Sequence, residues 1–195
     1  MSLINSTHFE KAAELEEGYT FAFFFRNNTH IKNKSGADLL LPATTLAGSC
    51  YSNMFFGCTS LTAAPSLPAT TLAKVCYGGM FYGCTSLQKA PSLPATTLAE
   101  SCYRSMFAGC TSLTAAPNLP ATTLADSCYS YMFYGCTSLN SVTCLATNIS
   151  ISDYTTDWLY GVAASGTFTK AAGADWSGKT GDSGIPSGWN VVDKQ

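Results

Sequence analysis

Nine cysteines are the residues of this 195-residue chain whose type and spacing most directly suggest chemistry. Eight of them form four copies of the pattern Cys-x7-Cys: Cys50/Cys58, Cys76/Cys84, Cys102/Cys110 and Cys128/Cys136. Cys144 stands apart. Such a set can form disulfides, bind a metal or pack as small apolar side chains. The structural elements that carry the cysteines decide among these.

Those elements belong to an internal repeat. The segment Leu-Pro-Ala-Thr-Thr-Leu-Ala begins at Leu41, Leu67, Leu93 and Leu119, every 26 residues, and each copy runs on to Cys-Thr-Ser-Leu. Four near-identical units at this period predict a solenoid in which each unit packs on its neighbours. We predict one continuous domain: an N-terminal cap with a degraded repeat (1–40), four repeats (41–144), and a degraded fifth repeat with a C-terminal cap (145–195).

Variation between the copies predicts an α-helix in each unit. Counted from the Leu-Pro, the unvarying residues of positions 6 to 18 fall on one side of a helical projection of about 100° per residue, and the varying ones fall on the other. In the second copy the buried ridge is expected to be Leu72, Cys76, Met80 and Cys84. The solvent side is expected to hold Lys74, Val75, Gly78, Gly79 and Tyr82.

The other half of each unit predicts a short parallel strand, with leucines at both ends of a stretch such as 61–68. Two prolines per unit remove backbone donors, so we expect only two or three paired residues in each. The predicted fold class is therefore an α/β repeat, with short parallel strands on one side of the solenoid and helices on the other.

This geometry bears on the cysteines. On a helix the two cysteines of one unit lie about 12 Å apart, whereas a disulfide needs about 7 Å or less. Stacked equivalents such as Cys58 and Cys84 stay within reach of a bridge. Zinc is less favoured because the chain has no Cys-x-x-Cys clip. Columns of buried, reduced thiols are the favoured interpretation, and Cys144, at the position of Ser66, Ser92 and Asn118, is expected to be partly exposed.

Composition and charge argue against several function classes. The 10 basic and 12 acidic residues form no basic cluster, which argues against nucleic acid or an anionic membrane as partner. The longest aromatic run, 21–25, is too short to span a bilayer, and the chain start lacks the pattern of a signal peptide. Neither His8 nor His30 lies near a repeated Ser or Cys, so we expect no enzyme, cofactor or metal.

The repeat also resembles a known family. Its unit, Leu-Pro-Ala-Thr-Thr-Leu-Ala-x-x-Cys-Tyr-x-x-Met-Phe-x-Gly-Cys-Thr-Ser-Leu, is similar to the BspA-like leucine-rich repeats of surface proteins from anaerobic, host-associated bacteria. The ending, from Trp158-Leu159-Tyr160-Gly161-Val162 to Gly188-Trp189, resembles the way such chains close. The resemblance covers roughly residues 20 to 190. It implies a right-handed leucine-rich-repeat solenoid, export to the cell surface, and adhesion or protein binding.

Two sets of varying residues are candidate binding surfaces. The first is a polar column on the strands: Thr62, Gln88, Lys89, Thr114, Asn140 and Ser141. The second is an aromatic set on the predicted helices: Phe56, Tyr82, Tyr131 and Tyr134. Polar groups in a row suit a carbohydrate or a polar protein surface, and exposed rings can stack on sugars or anchor a partner. The alternatives are ordinary solvated residues and rings that lean on one another.

The favoured function is a non-enzymatic binding or adhesion module at the cell surface, recognising a protein or polysaccharide of a host or a neighbouring cell. The alternative is a structural spacer within a larger surface protein.

Overall fold

The computed structural model of the protein describes residues 13–33, 39–149 and 152–195. Its regular elements, in chain order, are strand β1 (Ser141–Cys144), a 3-10 helix (Ser152–Thr155), strand β2 (Gly166–Lys170) and strand β3 (Trp189–Asp193). The strands form one parallel sheet in the order β1-β2-β3. We call the four repeats rung 1 (41–66), rung 2 (67–92), rung 3 (93–118) and rung 4 (119–144).

A chain of β-turns fills the part of each rung for which the sequence predicts a helix. In rung 2 Gly78, Met80 and Tyr82 donate their backbone N–H groups to carbonyls three residues earlier, at 3.0–3.1 Å. The intervening N–H groups of Tyr77 and Phe81 donate to carbonyls of rung 3, at 3.0 and 2.9 Å. An α-helix would bond each N–H to the carbonyl four residues earlier within the same segment.

The helix prediction is therefore wrong, and so is the α/β leucine-rich-repeat solenoid built on it. No α-helix is present in the described ranges of the chain. The turns imitate a helical pattern because their backbone conformation repeats every four residues: φ is positive at Val75 (58°), Gly79 (60°) and Gly83 (69°). The buried residues between them, Cys76, Tyr77, Met80, Phe81 and Cys84, recur at the same spacing.

Some residues assigned to the solvent side of that helix are in fact enclosed. Gly78 and Gly79 are buried, and Val75 is half-buried. Every rung has glycine seventeen positions after its Leu-Pro starts, as at Gly83, because φ is positive there in each case. Invariance among the copies thus marks backbone conformation as well as an inward side chain.

The strand half is mostly reduced to single bridges. Pairs such as Leu40–Ser66, Ala63–Lys89 and Ala115–Ser141 are isolated, and Pro65, Pro91 and Pro117 follow in the rungs. β1 instead reads Ser-Val-Thr-Cys, with two β-branched residues and no proline, and all four residues pair with β2.

Cys144 changes place because of this proline-free strand. It bridges to Leu119, so rung 4 here has one residue fewer than rung 3 between paired positions. Cys144 therefore takes the place of a buried leucine and is 0% exposed. The expectation of partial exposure, which aligned it with Asn118, is wrong.

Stacked aromatic columns form the core. The rings of Tyr51, Tyr77 and Tyr103 follow one another at 5.7 and 5.9 Å, within 8° of parallel. A second column of phenylalanines, including Phe55 and Phe81, is spaced at 5.5 Å. Each such pair adds about 0.5–1.5 kcal/mol beyond its buried area. The columns continue into the N-terminal segment, where Phe21 and Phe25 lie 5.7 and 5.3 Å from Tyr51 and Phe55.

The two ends of the stack are closed differently. At the first end, the side-chain amide of Asn33 takes the place of a peptide group: its Oδ1 accepts from the N–H of Thr62 and Ala63, and its Nδ2 donates to the Ala63 carbonyl at 2.9 Å. At the other end, the indole N–H groups of Trp158, Trp176 and Trp189 donate to backbone carbonyls at 2.8–3.3 Å.

Substituting Gly83 tests the turn chain against a helix. In the turn its φ of 69° strains any side chain, so Gly83→Ala should lower the free energy of unfolding by about 1–2 kcal/mol. In a helix the same change would raise it by about 1 kcal/mol. Denaturant unfolding measures the sign. Gly178→Ala is the control, since that position is open and has no positive φ, and a loss of equal size there would contradict the explanation.

Candidate functional site

The cysteines lie in two internal columns, and all nine are buried free thiols. In the second column each thiol donates to a phenylalanine carbonyl of the preceding rung: Cys84 to Phe55 and Cys110 to Phe81, both at 3.1 Å. Cysteine is thus selected there as a small buried group with one weak donor.

Burial also makes these thiols unreactive. It raises the pKa of Cys76, Cys84 and Cys136 to about 12, because the thiolate would lose its hydration. The reactive form of cysteine is the thiolate, so little nucleophile is present near neutral pH. No cluster of three or more potential metal ligands occurs in the part of the chain that the structure describes.

His30 offers no evident catalytic geometry. It is exposed, and its backbone N–H donates to the side-chain oxygen of Asn28 at 3.1 Å, as in a local turn. His8 lies outside the described residues.

The polar column lies on the surface as a row of neighbours. Its members Thr62, Gln88, Lys89, Thr114, Asn140 and Ser141 are all exposed. Backbone hydrogen bonds from Gln88 to Thr62 and from Asn140 to Thr114, at 2.9 and 3.0 Å, hold them side by side. The Thr62 hydroxyl is within 3.0 Å of Asn33 Oδ1, so it serves the end of the stack as well.

The aromatic set lies on the turn side and forms two stacked pairs. Phe56 and Tyr82 are 4.7 Å apart and 6° from parallel, and Tyr134 and Tyr160 are 4.8 Å apart. Tyr131 packs against Tyr134 at 6.1 Å. We call Phe56, Tyr82, Tyr131, Tyr134 and Tyr160 the aromatic face. Tyr82, Tyr134 and Tyr160 are 41%, 39% and 45% exposed, so the rings both lean on one another and remain open to solvent.

A groove of about 310 Å³ runs beside Tyr82. We call it the Tyr82 groove, and its lining includes Asn53, Phe56, Gly79, Tyr82, Arg104 and Ser105. The glycine leaves space that a side chain would fill. Asn53 is held over Gly79, where an added Cβ would come within 2.4 Å of its Oδ1. The groove therefore combines aromatic rings, an amide, a hydroxyl and a guanidinium.

Residues outside the sequence-derived set complete this face. Tyr160 follows Tyr134 by 26 residues, a register that the degraded fifth repeat already contains, so its column position was available from the sequence. Arg26 and Arg104 carry no repeat signal, because no other copy has a cation at those positions. Only the three-dimensional stack shows that both lie over aromatic rings.

A second cavity, of about 420 Å³, lies at the C-terminal end of the stack. Trp176, Trp189 and Val191 supply apolar lining, and Lys170 and Lys179 lie at its edge. The two indole N–H groups are engaged by backbone carbonyls, so they are committed to holding the cap.

Comparisons with family models, with curated proteins and with solved structures found no match to this chain. The described residues include no helix of the length and apolarity that a membrane crossing requires.

The thiols give a direct test of this interior. The native protein should resist alkylation, and all nine cysteines should react after unfolding in a chelator without reductant. Fewer than nine reactive thiols in the unfolded chain would indicate disulfides.

Stability should fall as pH rises above about 8.5, where an unfolded thiol ionises but the folded thiols, with pKa values raised to about 12, do not. Below that pH the contribution is fully present. Each thiol loses about 1.4 kcal/mol per pH unit in this window. Denaturant unfolding near neutral pH and at alkaline pH measures the change, and equal stability at both would contradict the burial of the thiols.

Proposed function

We propose that the protein is a non-enzymatic binding module that recognises a surface ligand, a glycan or a protein, through the aromatic face. The observation that carries this proposal is the Tyr82 groove: a concave site beside stacked, solvent-exposed rings on an otherwise closely repeated scaffold. Exposed aromatic side chains are costly for a soluble protein unless they have a partner. Flat rings held in register suit sugar rings or a flat protein surface.

The scaffold favours binding over catalysis. Each exposed ring is fixed by its stacked neighbour and by the backbone bonds of its rung, so the face is organised before a ligand arrives. The thiols, the most plentiful nucleophilic side chains, are all buried. The polar column is a secondary candidate surface, because the groove offers rings and a cation where the column offers only polar side chains and one lysine.

A surface location agrees with the thiol chemistry. Reduced cysteines are uncommon outside the cell, where disulfides form readily. Here burial keeps them as thiols with raised pKa values, which protects them from oxidation. We therefore extend the proposal to the cell surface, in line with the resemblance of the repeat to surface proteins.

Truncating Tyr82 tests the proposed site. Tyr82→Ala should weaken binding to a panel of glycans and extracellular-matrix proteins by about tenfold, as expected for loss of an aromatic anchor of 1–2 kcal/mol. The matched control is the double variant Gln88→Ala/Lys89→Ala on the polar column, which should bind as the unaltered protein does.

The reverse pattern, with binding lost only in the double variant, would place the site on the polar column. Absence of saturable binding across the whole panel would favour the structural spacer.

A further inference from the structure

The two arginines of the chain, Arg26 and Arg104, both lie on the aromatic face. The Arg26 guanidinium lies over Phe56, with its Cζ atom 4.8 Å from the ring centroid. The Arg104 Cζ lies 5.5 Å from the centroid of Tyr131. A chain with 10 basic residues has thus placed both of its planar, always-charged side chains beside the one aromatic groove.

The charge of Arg104 is not consumed by a carboxylate. No Asp or Glu is found among the described residues that line the Tyr82 groove. The nearby Glu100 is paired with Lys74 at 2.8 Å, and the other ion pair of the described residues joins Lys170 to Asp193. The groove therefore presents a positive group that can bond an incoming anion.

The aromatic column also leaves space for a ring next to Arg104. Along the stack its successive side chains are Arg26, Phe56, Tyr82, Ala108, Tyr134 and Tyr160. Phe56 covers one face of the Tyr82 ring, and the neighbour on its other side is Ala108, which has no ring. Arg104 belongs to the same rung as Ala108. Ala108 is only 1% exposed, so a ligand ring would lie above it, against Tyr82, and not reach the backbone.

We propose that the Tyr82 groove binds an acidic glycan, with one sugar ring stacked on Tyr82 and the carboxylate of a uronic acid bonded by Arg104. This inference rests on the proposed binding function and narrows its ligand. Stacking supplies affinity for any sugar ring, while the guanidinium supplies the preference for an acid, through paired charge-assisted hydrogen bonds. Asn53 and Ser105 provide amide and hydroxyl groups for sugar hydroxyls.

The sharpest test compares two ligands that differ only in charge: an oligomer of galacturonic acid and its methyl ester. Titration calorimetry should show the acid binding about tenfold more tightly, the effect of one hydrogen-bonded charge, and the difference should shrink in high salt. Arg104→Gln should abolish the preference and leave ester binding unchanged, whereas Arg104→Lys should retain part of it. Tyr82→Ala should weaken binding of both ligands.

Lys89→Gln on the polar column is the matched control for loss of one positive charge, and it should keep the full preference. Thermal unfolding of each variant separates lost binding from lost folding.

Equal affinity for acid and ester, with both weakened by Tyr82→Ala, would overturn the acidic preference while leaving the proposed binding function intact. Absence of binding to the acid would overturn the inference. Equally tight binding of poly-glutamate would assign Arg104 to an acidic protein partner instead.

Discussion

The structure depends on how the backbone of each turn segment divides its hydrogen bonds. Alternate N–H groups close turns within a rung, and those between them reach the next rung, as Met80 and Phe81 illustrate. Neither set alone satisfies the backbone, and an unpaired buried peptide group costs about 1–3 kcal/mol. A turn segment is therefore stable only when another rung lies beside it, which makes the stack the unit of folding.

This constraint explains the choice of residues. Every fourth residue must adopt positive φ, which favours glycine, asparagine and serine, yet Val75 accepts φ of 58° despite its branched side chain. The inter-rung bonds at 3.0 and 2.9 Å fix the column spacing, so Tyr77 and Phe81 stack on their equivalents. Cys84 fits because its thiol bonds a carbonyl of the preceding rung without needing space. The low charge follows, since much of each rung faces a neighbour.

Function occupies the residues that this constraint leaves free. Positions that point outward from the turns can vary, and there rung 1 carries Phe56, rung 2 Tyr82 and rung 3 an arginine beside an alanine. The backbone ladder holds these side chains at a fixed spacing, so exchanging side chains at the outward positions changes the ligand surface without changing the scaffold.

The sequence was informative about what repeats and misleading about local conformation. The buried columns through Cys76, Tyr77 and Met80 follow from comparing copies, whatever the backbone does. The helix was a wrong prediction because a four-residue turn period and a 3.6-residue helical period place the same side chains inward over three turns. Cys144 was misplaced because a one-residue shift in β1 leaves no mark in composition. The aromatic residues of the face were recognisable, whereas its arginines needed coordinates.

A scalar coupling transmitted across a hydrogen bond, measured by NMR, tests the account most directly. The turn stack predicts coupling between the backbone nitrogen of Tyr77 and the carbonyl carbon of Cys102 in the next rung, because that N–H donates there at 3.0 Å. Coupling from Tyr77 to the carbonyl carbon of Ala73, four residues earlier, would be the signature of an α-helix and would contradict the account.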